Sequence, residues 1–151
     1  MIELLKSHIS PNLPISILCL CISGISGHIL GRQREKVGHG EAGERTMTLV
    51  SIGSTLFTII PMLAGFNSET WRVAANVVTG IGFIGAGVLL KDGINIKGLT
   101  TSTTIWVCAA LGVCYGSCNI NNIIVGIIVT IITYVVLNKK KAKINTSNEG
   151  V

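Results

Sequence analysis

Five stretches of this chain, Leu13–Leu30, Thr46–Phe66, Val73–Leu90, Thr100–Cys118 and Ile120–Leu137, each run for 18 to 21 residues without a single Asp, Glu, Lys or Arg. That is about the length of helix that crosses the hydrocarbon core of a bilayer. Only 13% of the 151 residues are charged, against about 25% in an ordinary soluble domain, and those charges cluster between the stretches. Little chain is left for a water-soluble core. The expected fold is all-α: one polytopic membrane bundle of about five transmembrane helices over residues 1–137. Residues 138–151 follow as a basic tail with a Lys cluster and no apolar pattern, read as disordered. The first stretch is the weakest, because it holds Pro14 and His28. Glu3 and Lys6 make a poor basic leader and no small-residue cleavage site follows, so it reads as a span and not as a signal peptide.

The distribution of charge says more than its sum of +5. With loops alternating between two sides, one side receives Arg32, Arg34, Lys36, Arg45, Lys91, Lys97, Lys139, Lys140, Lys141 and Lys143, and the other only Lys6 and Arg72. Positive charge marks cytoplasmic loops, so the expected topology has the N-terminus outside and the C-terminus in the cytoplasm. The same charges suit contact with the lipid bilayer and its anionic headgroups. No basic and aromatic residues interleave on a soluble surface, so nucleic acid is not an expected partner. The five cysteines include no C-x-x-C and read as small buried thiols, neither a disulfide framework nor a zinc site.

The most distinctive local pattern is Gly80-Ile81-Gly82-Phe83-Ile84-Gly85-Ala86-Gly87. Gly80, Gly82 and Gly85 spell G-x-G-x-x-G, but a dinucleotide site needs a preceding strand and an acidic residue about 20 positions on. Here the glycines lie mid-stretch and position 105 is Ile. Wound as a helix, Ala75, Thr79, Gly82 and Ala86 form one small-residue face, and Asn76, Gly80, Phe83 and Gly87 lie nearly opposite. Neighbouring helices pack into such grooves, whereas lipid tails gain nothing from them. The third span is therefore expected at the bundle centre, with Asn76 buried, and the faces permit self-association into a homo-oligomer. The fourth span opens with five hydroxyls, Thr100 to Thr104, and its face of Thr101, Thr104, Cys108, Gly112 and Tyr115 is expected to pack on the third. Hydroxyl-to-backbone bonding is one reading of that face, and a polar path or ligand site is the other. The fifth span, mostly Ile and Val, reads as peripheral and lipid-facing.

The run Arg72 to Thr79, followed by GIGFIGAGVLL, Lys91-Asp92-Gly93, Lys97 to Thr101 and Trp106, resembles the MgtC/SapB family of bacterial inner-membrane proteins. Gly31, Arg34, Glu35, Ala42, Gly43, Arg45 and Thr46 resemble that family's two loop motifs. Gln33 stands where the motif has Glu, and Glu44 where it has Leu. Thr100 and Val107 stand where the virulence-associated members have Asn and Cys. The resemblance implies a multi-pass protein of the bacterial inner membrane, linked to growth at low magnesium, survival in macrophages and acid tolerance. It also implies restraint of a membrane partner, the rotary ATP synthase, and a short form without the C-terminal soluble domain many members carry.

Asp92 follows the glycine-rich helix at an acidic position of the family. It is either a turn former beside Gly93 or a partner for Arg34, Arg45 or a cation. Arg34, Glu35 and Arg45 read as an ion-pair network or a partner surface, because charges near a bilayer are kept most cheaply in pairs. His28 is either a satisfied interfacial side chain or a proton switch. There is no nucleophile–base pair, metal-ligand cluster or phosphate loop, so neither enzyme activity, nor a cofactor, nor a metal site is expected. A magnesium site would want carboxylates, and none lies within a span. The residues carried forward as functional are Arg34, Glu35, Arg45, Asn76, Asp92, Thr100, Thr101 and Thr104, with Ala75, Thr79, Gly80, Gly82, Gly85, Ala86 and Gly87 for helix packing. Two functions are expected. One is regulation through contacts with other membrane proteins. The other is a small transporter or channel for magnesium or another cation, along Asn76, Thr101, Thr104 and Cys108.

Overall fold

The computed structural model describes residues 13–36, 42–64, 67–92 and 95–148. They form five helices and one short hairpin: α1 (Leu13–Lys36), α2 (Glu44–Leu63), α3 (Asn67–Gly87), β1 (Leu90–Asp92), β2 (Asn95–Lys97), α4 (Leu99–Gly116) and α5 (Ile120–Asn148). Consecutive helices run in opposite directions. At one end of the bundle Ser16 of α1 meets Cys118, and at the other Arg34 of α1 meets Thr101 of α4.

Local chemistry fixes several boundaries. Gly43 precedes α2 without a side chain to cap it, and the Glu35 carboxylate supplies the cap from α1, accepting the Glu44 N–H at 2.9 Å. A negative group there also suits the positive end of the helix dipole. Pro61 lies in the last turn of α2, where its missing N–H costs little helix beyond it. Gly98 starts α4 in the left-handed region, φ 85°, and a Cβ there would lie 2.3 Å from the Val88 carbonyl oxygen. Asn119 opens α5, its side-chain oxygen accepting the Asn121 N–H at 2.9 Å.

The core is made by α1, α2 and α4, with α3 packed on α2 and α4, and α5 on α1 and α4. Its fully enclosed side chains include the apolar Cys19, Leu30, Met47, Ile59, Ile105 and Cys108 and the ring of Tyr115. The outer surface is apolar, with Ile17, Leu18, Ile25, Phe57, Ile60, Ile131 and Val136 all exposed. That distribution fits a hydrocarbon surrounding, because a helix satisfies its interior backbone groups by itself and apolar side chains outside need no water. Four helices, α1, α2, α4 and α5 over Ile120–Asn138, are long and apolar enough to cross a membrane.

Three sequence expectations change here. The third apolar stretch, Val73–Leu90, does not coincide with its helix. The helix begins early, at Asn67 among polar residues, and stops at Gly87, giving Val88–Leu90 to a turn and β1. That shift leaves α3 outside the group that meets the spanning criterion among the described residues. The segment read as a short turn carries two paired strands, with Leu90 opposite Lys97, Lys91 opposite Ile96 and Asp92 opposite Asn95, while the expected turn residue Gly93 lies outside the described residues. The basic tail is helical to Asn148, since Lys139–Lys143 contains good helix formers and no Gly or Pro interrupts the run before Gly150.

Candidate functional site

The interior of the bundle is polar along much of its length. Ser23 and Ser51 share a hydrogen bond of 2.7 Å between α1 and α2. Thr55 Oγ1 lies 2.7 Å from Ser23 Oγ, 2.9 Å from the Ser51 carbonyl and 3.0 Å from the Gly112 carbonyl of α4. A hydroxyl has one proton, so Thr55 serves these acceptors in turn while accepting through its lone pairs. Further toward the Arg34 end, Tyr115 OH bridges Ser26 of α1 at 3.0 Å and Thr130 of α5 at 3.2 Å. Four helices are thus joined by buried hydroxyls. Each such bond in a membrane bundle contributes on average about 0.6 kcal/mol, so the seam orients helices more than it stabilises them.

Close backbone approach makes the seam reachable. A Cβ on Gly27 would lie 2.7 Å from the Met47 carbonyl oxygen, and one on Gly31 would lie 2.5 Å from Glu44 Cα. On α4, a Cβ on Gly112 would lie 2.3 Å from the Ser51 carbonyl oxygen, and one on Gly116 2.5 Å from Thr58 Cβ. Gly27-x-x-x-Gly31 and Gly112-x-x-x-Gly116 are therefore the pairs that bring α1, α2 and α4 together. The i, i+4 glycine spacing is the signal in the sequence that finds them, and the denser run at Gly80–Gly87 outweighs it on composition alone.

That denser run is placed differently from expectation. Of the packing residues, Gly85 is buried, and Ser102 Oγ donates to its carbonyl at 2.9 Å. Ala75, Thr79, Gly80, Gly82, Ala86 and Gly87 are exposed. No atom lies within 4 Å of a Cβ built on Gly80, Gly82 or Gly87. Thr79 bonds only its own helix, at the Ala75 carbonyl. The bundle centre belongs to α2 and α4, and α3 lies at the side. Asn76 is exposed, not buried, and borders a groove of about 630 Å³ between α2 and α3 with Leu49, Gly53, Phe57, Gly80 and Ile84. The face of Thr101, Thr104, Cys108, Gly112 and Tyr115 is buried as expected, but against α1 and α2 instead of α3.

The charged residues at the other end also separate. Arg34 is buried, 3% exposed, and Nη2 donates to Thr101 Oγ1 at 2.6 Å. Its Nε has no hydrogen-bond partner among the described residues. Glu35 caps α2, and Arg45 is exposed. The described part of the expected Arg34–Glu35–Arg45 network therefore contains no ion pair, because Arg34 is drawn to Thr101 and Glu35 to the start of α2. His28 Nδ1 lies 3.3 Å from Glu44 Oε1, both half-exposed, a link the sequence does not disclose. The five hydroxyls opening α4 divide their work. Thr103 and Thr104 bond carbonyls of their own helix, Thr101 receives Arg34, Ser102 holds α3, and Thr100 is half-buried. Asp92 lies in β1 opposite Asn95, and its side chain lies outside the described residues. Gln33 donates to Asn138 of α5. Among the described residues, no group of three or more His, Cys, Asp or Glu is placed to hold a metal ion.

Residues 20–143 match the model of the MgtC family, so the match takes in the hydroxyl seam, the Arg34 end and the glycine-rich helix together. This chain belongs to the MgtC family. It is 41% identical over 106 residues to Protein MgtC of Brucella abortus, covering 69% of this chain and 44% of that one. It is 34% identical over 129 residues to Protein MgtC of Salmonella typhimurium, covering 85% and 55%. An uncharacterized protein of Synechocystis is 36% identical over 130 residues, covering 86% and 55%. The chain spans about half the length of these MgtC-family relatives. No solved structure matches it.

Within this MgtC-family fold the loop motif acquires physical meaning. Gly31 lets the end of α1 touch the start of α2, and Arg34 reaches α4 from the same turn. Gly43 leaves room for Glu35, whose Oε1 would lie 2.1 Å from a Cβ there. Gly98, in the Lys97–Thr101 run, supplies the left-handed start of α4.

Proposed function

We propose that this MgtC-family membrane protein is not an enzyme. It works through contacts with other proteins of the bacterial cell membrane, in the physiology of magnesium limitation or acid stress. The observation that carries this reading is the small-residue surface of α3: Ala75, Thr79, Gly82 and Ala86 on one face and Gly80 and Gly87 nearly opposite are all exposed, and a Cβ on Gly80, Gly82 or Gly87 would meet no atom within 4 Å. Elsewhere the exposed surface of the helices carries many large apolar side chains, chiefly Ile, Leu and Val. A small-residue surface in lipid is suited to another helix. The family resemblance offers the rotary ATP synthase as one such partner. In this reading all five helices cross the membrane, with the N-terminus outside and the C-terminus in the cytoplasm.

The test is a photo-cross-linking residue placed at Gly82 or at Ile131, with the full-length protein in native membranes at low magnesium. Position 82 is expected to give a discrete adduct with another membrane protein, and position 131, on α5, to give lipid adducts. Equal, diffuse lipid labelling at both would end this reading.

The file of buried hydroxyls favours a second reading, a small cation path. Against it, Asn76 lies on the outside and the seam hydroxyls bond one another and their own helices. Protein-loaded liposomes that pass magnesium or protons no faster than empty ones are expected. Flux abolished by Thr101→Val would instead establish the path.

A further inference from the structure

We propose that Arg34 and Thr101 form a seat for a phosphate group where α1 ends and α4 begins. Arg34 carries a full positive charge at 3% exposure, and only Thr101 Oγ1, a neutral group at 2.6 Å, receives it among the described residues. Its Nε is buried and has no acceptor among those residues. Burying a guanidinium without a counter-charge is strongly unfavourable, so an anion is expected to complete it. The two described carboxylates are committed elsewhere, Glu35 to the cap of α2 and Glu44 to His28.

The surroundings select the chemistry of the anion. Exposed Arg32, Lys36 and Arg45 flank the same corner, so its field draws negative charge inward. The start of α4 adds the positive end of a helix dipole, and Gly98 provides no capping side chain there. A guanidinium presents parallel N–H groups that match two oxygens of one phosphate, and Nε is half of such a fork. Thr101 accepts from Nη2, which leaves its own proton to donate. The corner lies at the end of an apolar helix, at the depth where phospholipid headgroups sit. A lipid headgroup and free phosphate share the recognised chemistry.

The test uses the full-length protein in maltoside micelles, which carry no phosphate. Short-chain phosphatidylglycerol and inorganic phosphate are titrated separately, and bound adducts are read by native mass spectrometry alongside thermal unfolding. The wild type is expected to bind one phosphatidylglycerol, about tenfold more tightly than Arg34→Gln or Arg34→Lys, the latter keeping the charge but losing the fork. Arg72→Gln, which changes an exposed charge at the far end of α3, is expected to bind like the wild type. Competition by inorganic phosphate at millimolar concentration assigns the seat to free phosphate, and its absence assigns it to the lipid; either supports the seat. Equal binding by the wild type and both folded Arg34 variants would overturn it. So would an absence of binding coupled with Asp92→Asn lowering the unfolding temperature only when Arg34 is present, which would make the partner an internal carboxylate. The outcome is independent of any protein partner at α3.

Discussion

At the scale of single residues, glycine carries two opposite meanings in this protein. Gly112 is a contact, with the Ser51 carbonyl oxygen 2.3 Å from where a Cβ would stand, while Gly82 faces open space. Gly112→Leu is expected to destabilise the bundle by about 3 kcal/mol or more, because the clash is with backbone. Gly82→Ala is expected to stabilise α3 by about 0.5–1 kcal/mol in the isolated protein. Thermal unfolding of both variants in detergent checks the pair, and similar losses in both would refute the placement of α3. Tyr115→Phe removes the hydroxyl that joins Ser26 and Thr130 and is expected to cost about 0.5–1.5 kcal/mol. Comparison with Ser26→Ala in a double-mutant cycle reads how much of that loss belongs to the shared bond. Much of this was open to reading in sequence: the inward face of Thr101, Thr104, Cys108 and Tyr115 follows from helical spacing. The partner of that face was not, because spacing identifies which side chains point together and says nothing of the helix across from them. Asn76 was misjudged for the same reason. A polar side chain in an apolar run suggests burial, and the groove beside α3 offers it another place.

Among elements, the helices follow the apolar stretches closely, except where capping chemistry sets the boundary. The third is displaced because Gly98 and the Leu90–Lys97 hairpin take the last apolar residues, and the fifth is prolonged because nothing in the Lys cluster stops it. Neither is visible to hydropathy, which measures transfer to lipid and not hydrogen bonding. The cap on α2 comes from another helix, so no N-cap motif advertises it. Glu35→Ala is expected to fray the first turn of α2 at a cost of about 1 kcal/mol, read as faster amide hydrogen exchange at Glu44 to Met47. Unchanged exchange there would mean the carboxylate is dispensable. The same variant tests the hold of α1 on α2, since Gly31 and Gly43 bring the two ends together around this one acceptor.

For the whole molecule, the alternating directions of five helices put the start of α1 and the end of α5 on opposite sides. A cytoplasmic reporter joined after Lys143 is expected to be active and one joined before Leu13 inactive; two active fusions would require an even number of crossings. The charge asymmetry is the argument for this orientation and needs no structure, whereas the distinction between central and lateral helices required one. The groove of about 630 Å³ separates part of α3 from α2, and Ser102 links α3 to α4 through the Gly85 carbonyl. Ser102 stands one residue after Thr101, the acceptor of Arg34. The first turn of α4 is therefore placed as a lever with two arms: a helix docked on α3, as proposed, would bear on Ser102, and an anion seated at Arg34 would bear on Thr101. Ser102→Ala would disconnect one arm while leaving the other intact.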